Sequence, residues 1–137
     1  MIQKTLLIID DDRDFNTLVE IFLYPNWHIL TASNGKKGID LAKSQQPDLV
    51  LLDVEMPQLN GLAIYKLLKL DSTTSSIPII FLTAMVRMEK IIRAKILDNI
   101  IVDDITDRIE IISKPFHMTA LEQKIIEACD RISANTN

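Results

Sequence analysis

Four polar positions in this chain each follow an apolar run, and their types suit one kind of chemistry. Asp10-Asp11-Asp12 follows Thr5-Leu6-Leu7-Ile8-Ile9, and Asp53 follows Leu49-Val50-Leu51-Leu52. Thr83 follows Ile79-Ile80-Phe81-Leu82, and Lys114-Pro115 follows Ile111-Ile112-Ser113. Carboxylates, a hydroxyl and an ammonium together suit a hard cation beside a phosphoryl group. Adjacent carboxylates such as Asp10 and Asp11 repel, and each raises the other's pKa unless a cation joins them. Mg²⁺ takes oxygen ligands and keeps several waters, so one or two carboxylates are enough to hold it. On the residues alone, Asp53 reads as a metal ligand, as a nucleophile that would form an acyl phosphate, or as a cap for the turn after its strand. In isolation, Thr83 is more often simply a β-former at a strand end, and a lone Lys such as Lys114 is usually a solvated surface group. What sets the four apart is their shared position at the ends of buried strands.

The elements between them must carry that edge. Continuous rather than alternating apolar runs indicate strands covered on both faces. Asp12 can cap a helix over about Arg13 to Leu23, with Phe15, Leu18, Val19 and Phe22 at helical spacing. Trp27 to Ala32 reads as a second strand, to which Trp27 and His28 belong without chemistry of their own. Asn34-Gly35 opens a helix to about Ser44, and Pro47-Asp48 leads into the strand that ends at Asp53. Pro57 and Asn60-Gly61 bound a loop, a third helix spans about Leu62 to Leu70, and Ser72 to Ser76 reads as a polar linker. Pro78 opens the fourth strand, Met85 to Leu97 is helical in pattern, Ile109 to Ile112 forms the fifth strand, and a last helix runs from Phe116. The final Asn135-Thr136-Asn137 is expected to fray. Strict alternation of strand and helix predicts an α/β fold with a doubly wound parallel sheet and right-handed crossovers. In such a sheet, ligands bind at the carboxyl ends of the strands.

Composition narrows the rest. The 137 residues fit one domain, 1–137, with a sizeable core. A hydrophobic share of 47% argues against whole-chain disorder. The net charge of −4 and the lack of a basic stripe disfavour direct nucleic-acid binding. The single Cys129 excludes an intrachain disulfide and suits a reducing compartment. No signal-peptide pattern opens the chain, and no apolar run approaches the roughly 20 residues of a membrane span. A soluble cytoplasmic domain is the expectation.

Taken together, Ile9-Asp10-Asp11-Asp12, Leu52-Asp53-Val54-Glu55-Met56-Pro57 with Asn60-Gly61, Leu82-Thr83-Ala84 and Ser113-Lys114-Pro115-Phe116 resemble the receiver domain of two-component response regulators. The resemblance covers nearly the whole chain. It implies a flavodoxin-like five-stranded sheet in the order 2-1-3-4-5. It also implies that Asp53 accepts a phosphoryl group from a histidine kinase or phosphotransfer protein. Asp11, Asp53 and the backbone carbonyl of Glu55 would bind Mg²⁺ directly, with Asp10 acting largely through water. Thr83 and Lys114 would contact the phosphoryl group, and the Lys114-Pro115 bond would be cis. The product would be a changed partner-binding surface rather than turnover of an external substrate, with a downstream protein target and a possible homodimer. The sequence names neither the kinase nor the target.

The chain departs from the family in three respects. Ile111 stands where an aromatic switch residue is common, and no Gly-Ala turn precedes the fifth strand. The stretch between Thr83 and Lys114 is longer than usual. Within it, 98–107 is apolar enough (Ile100, Ile101, Val102, Ile105) to predict either added core cover or a partner face. Two other functions compete. One is a haloacid-dehalogenase-type phosphatase, which would need an Asp where Glu55 stands and metal carboxylates after Asp53 rather than before it. The other is a pseudo-receiver that binds partners without phosphate.

Overall fold

The computed structural model describes residues 3–56, 60–83, 110–113 and 117–135. The expectations for the helix at Met85 to Leu97, for the segment 98–107, and for Lys114-Pro115 and its cis bond lie outside these residues. The described elements are β1 (Lys4–Ile9), α1 (Arg13–Leu23), β2 (Trp27–Ala32), α2 (Gly35–Gln45), β3 (Leu49–Asp53), α3 (Gly61–Leu70), β4 (Ile79–Thr83), β5 (Glu110–Ser113) and a final helix, α4 (Met118–Asn135). The five strands form one sheet in the order β2-β1-β3-β4-β5, every pair parallel. This is the predicted doubly wound topology.

The unbroken apolar runs are explained by two cores, one on each face of the sheet. In β1, Leu7 and Ile9 face one core while Leu6 and Ile8 face the other. In β3, Val50 and Leu52 are divided from Leu49 and Leu51 in the same way. Ile64, Tyr65 and Leu68 of α3 and Ala42 of α2 cover the first face. Val19 and Leu23 of α1, with Leu121, Ile125, Ala128 and Cys129 of α4, cover the second. A strand with no solvent face has no polar position to alternate. Cys129 is a buried thiol within this packing.

Helices α1, α2 and α3 leave the carboxyl edge of the sheet, and each is started by a side-chain cap. Asp12 accepts from Phe15 N (3.1 Å), Asn34 from Lys37 N (2.8 Å) and Asn60 from Ala63 N (2.9 Å). Such caps are worth about 1 kcal/mol each. They fix where the loops of the edge turn back into helices. The boundaries depart from the sequence reading by one or two residues: β5 is Glu110–Ser113, α4 begins at Met118, and Asn135 lies inside α4 rather than in a frayed end.

The polar linker read at Ser72 to Ser76 is a tied turn. Thr74 is fully buried, and its hydroxyl donates to Leu68 O at 2.6 Å. Lys69 Nζ donates to Ser75 O (3.0 Å) and Ile77 O (2.9 Å), so the end of α3 is bound to the entry of β4. Polarity alone suggested solvent; these hydroxyl and ammonium groups instead satisfy backbone carbonyls. Burial pushes the Lys69 ammonium down to about 8. In the unfolded chain the proton is held to about 10.4, so between those values the unfolded state binds more protons and stability rises with pH. Burial pushes the Tyr65 phenol and the Cys129 thiol up, which works in the opposite direction at high pH. Comparison with Lys69→Met isolates the lysine. Denaturant midpoints at about pH 7.5 and about pH 10 will show an upward contribution in the wild type that the variant lacks. Parallel pH profiles for the two proteins would contradict this.

Candidate functional site

The site is built by the ends of β1, β3 and β4. β1 ends at Ile9, and Asp10 follows with its amide donating to Ala32 O (3.0 Å), one hydrogen bond beyond the strand pairing. Asp10 is fully buried. Its Oδ1 accepts from Asp12 N (3.0 Å), and its carbonyl accepts from Asn16 Nδ2 (2.9 Å). Asn16 is a buried polar residue on the inner side of α1, and its Oδ1 has no partner among the described residues. Sequence reading passed over it, because a lone Asn inside an amphipathic helix carries no signal until its neighbour is known.

Asp53 closes β3 and is almost fully buried, at 6% exposure. Its Oδ1 accepts from Glu55 N at 3.1 Å. The turn that follows is tied to its surroundings. Val54 N donates to Leu82 O (3.0 Å), and Gly61 N donates to Val54 O (3.1 Å). Gly61 is required here by space: a methyl group would lie 2.4 Å from Asp53 O and 2.8 Å from Val54 Cα. The first residue of α3 is thus packed against the backbone of Asp53, and any side chain there would displace it. Asn60-Gly61, read from sequence as a loop boundary, is also the floor of the site.

Asp10, Asp11 and Asp53 converge. One carboxylate oxygen from each lies within 4.8 Å of the others. Two of the three are buried and Asp11 is exposed. At that separation, two full charges repel by about 3 kcal/mol at an effective dielectric constant of about 20. A set of only oxygen donors, one of them open to solvent, fits a hard divalent ion that retains waters. The acidic cluster can therefore hold a metal ion such as Mg²⁺. The exposure of Asp11 keeps one side of it open to water or to a phosphoryl group.

Thr83 ends β4, fully buried, and its hydroxyl donates to Glu55 Oε1 at 2.9 Å. The sequence reading gave Glu55 only a backbone carbonyl role. The structure adds a contact through its side chain. The pairing of β3 with β4, which sets Asp53 against Leu82, brings these two residues together, and no spacing rule in the sequence announces it. Lys114, the fourth element of the predicted site, lies outside the described residues. Ile111 is partly buried and packs against the core between the sheet and α3, so an aliphatic side chain occupies the position where an aromatic was noted as common.

Comparison with known proteins agrees with this architecture. The family profile described as "Response regulator receiver domain" matches residues 6–126. The regulator TcrX of Mycobacterium tuberculosis is 40% identical over 81 residues, which span 58% of this chain and 34% of that protein. Histidine kinase P4 of Formosa agariphila is 31% identical over 123 residues, 90% of this chain and 8% of that protein. PilH of Pseudomonas aeruginosa is 39% identical over 79 residues, 57% of this chain and 65% of PilH. The matched region is thus about a third of TcrX and a small part of the kinase. Among solved structures, the chemotaxis protein CheY4 of Vibrio cholerae superposes with a TM-score of 0.78 at 21% identity, over 93% of this chain and 99% of that one. The receiver domain of the Francisella response regulator 1452 gives 0.76 at 22% identity, over 94% and 98%. These two similarities concern the fold.

Proposed function

The chain belongs to the response regulator receiver domain family, and on that premise we propose that it is a phosphorylation-dependent switch whose phosphoacceptor is Asp53. The observation that carries this reading is the convergence of Asp10, Asp11 and Asp53 within 4.8 Å at the carboxyl edge of the sheet, with the Thr83 hydroxyl at the end of the neighbouring strand. Glu55 N donates to Oδ1 of Asp53 and orients the carboxylate, one oxygen of which is the attacking atom. That oxygen bonds to phosphorus as the phosphorus–nitrogen bond to a phosphohistidine breaks, and the histidine leaves with its ring electrons restored. Mg²⁺, held by Asp10, Asp11, Asp53 and the Glu55 carbonyl, would supply the positive charge that lets a phosphoryl group approach three carboxylates. The buried Thr83 hydroxyl is placed to donate to a phosphoryl oxygen, and the Lys114 ammonium is assigned to neutralise another. Drawing Thr83 towards the phosphate changes the end of β4, and the partner-binding surface with it.

Partners follow from this chemistry: a histidine kinase or phosphotransfer protein upstream and a protein target downstream, in the cytoplasm and without direct nucleic-acid contact. Among the described residues no helix is long and apolar enough to cross a membrane. We assign residues 1–137 to a single receiver unit, with 98–107 as added core cover or as a face for a partner or a second copy. Intact-mass analysis after incubation with acetyl phosphate and Mg²⁺ tests the reading. A gain of one phosphoryl group, lost when a chelator is present, is the expected result. No gain under either condition would favour the phosphate-independent pseudo-receiver.

A further inference from the structure

The reading above uses the backbone of Glu55 and leaves its carboxylate without a role. That carboxylate accepts the Thr83 hydroxyl at 2.9 Å. Thr83 is fully buried and Glu55 is exposed, so the bond links the interior of the site to its rim. A hydroxyl carries one hydrogen. Thr83 cannot donate it to Glu55 Oε1 and, at full strength, to a phosphoryl oxygen on Asp53. Both acceptors are anionic, so both bonds are charge-assisted and neither is a trivial competitor. We propose that Glu55 is a positioning residue that holds the Thr83 hydroxyl in the unphosphorylated protein, so that phosphorylation must outcompete it. The proposal rests on the assignment of Asp53 as phosphoacceptor and Thr83 as its hydroxyl partner.

The local backbone explains why Glu55 can do this. Its amide is fixed on Asp53 Oδ1, Val54 N is fixed on Leu82 O, and Gly61 N holds Val54 O. The turn that carries Glu55 is thus tied to β3, to the end of β4 and to the start of α3. A carboxylate on a pinned turn loses little conformational freedom when it bonds. An interaction shifts a two-state equilibrium only by its differential strength in the two states. The bond to Glu55 exists only while Thr83 donates to it, so it favours one state alone. Removing the carboxylate will bias the domain towards the arrangement in which Thr83 donates to phosphate.

Glu55 could also act simply as a fourth negative charge near the cluster. Charge repels a phosphoryl group whatever residue 83 is, whereas the hydrogen bond acts only through Thr83. A double-mutant cycle separates the two. The probe is beryllofluoride, a phosphoryl mimic, titrated into the full chain with Mg²⁺ and read by amide NMR shifts. Glu55→Ala is expected to bind it roughly tenfold more tightly than wild type, the scale of one hydrogen bond to a charged group. Glu55→Gln, which keeps an acceptor oxygen, is expected to fall between. In a Thr83→Val background the effect of Glu55→Ala will shrink to about twofold or less. Thr83→Ala takes the place of the valine variant if that one does not fold. An equal gain in both backgrounds would assign the effect to charge and overturn the latch. Unchanged or weaker binding by Glu55→Ala would overturn it as well. A folded wild type that takes up no beryllofluoride would instead remove the phosphoacceptor assignment, and the latch with it.

Discussion

Asp53→Asn will take up no phosphoryl group from acetyl phosphate or from a phosphohistidine donor, and it will stay folded. The amide keeps an oxygen that can accept from Glu55 N, as Asp53 Oδ1 does at 3.1 Å. What it lacks is an anionic oxygen to form the acyl phosphate. The substitution also removes one charge from a cluster whose carboxylate oxygens lie within 4.8 Å of one another. The metal-free fold should therefore gain stability, on the order of 1 kcal/mol once solvent screening is allowed for. Two measurements check this: intact mass after treatment with donor and Mg²⁺, and the denaturant midpoint in chelator. A mass gain at the wild-type rate would remove Asp53 from its assigned role. A large fall in the midpoint would mean that Asp53 is structural first.

The second large effect concerns the cation. Asp11→Ala should weaken Mg²⁺ binding by about tenfold or more, because so few protein oxygens hold such an ion. Asp11 is the exposed member of the cluster, so its loss opens no cavity in the core. The metal-free protein should be as stable as wild type or slightly more so, since like-charge repulsion is relieved. Mg²⁺ titration followed by amide NMR shifts gives the affinity directly. An unchanged Mg²⁺ affinity in Asp11→Ala would refute the metal site.

Fold and site were unequally legible in the sequence. The central strands were readable because the apolar runs of β1, β3 and β4 are buried on both faces, and a run such as Leu49-Val50-Leu51-Leu52 has no other soluble explanation in a chain of this pattern. α1 was readable at both ends, since Asp12 supplies a side-chain cap at one and Pro25-Asn26 breaks the helical pattern beyond the other. The meeting of Asp10, Asp11 and Asp53 followed from parallel order alone, because all strands deliver their carboxyl ends to one edge. The contacts that depend on register and on side-chain reach were not readable. Thr83 meets Glu55 because β3 and β4 pair with Asp53 beside Leu82, a stagger that no local pattern encodes. Thr74 and Lys69 were hidden because polar side chains read as solvated until the carbonyls they satisfy are located. Asn16 was hidden for the same reason.

The phosphoacceptor assignment is tested most directly by locating the modified residue. Borohydride reduces an aspartyl phosphate to homoserine, which peptide mass mapping can place on the chain. After treatment with donor and Mg²⁺, then borohydride, homoserine at position 53 and at no other carboxylate is the expected result. Homoserine at Asp10 or Asp11, or a phosphoryl group that survives reduction on another side chain, would contradict the account.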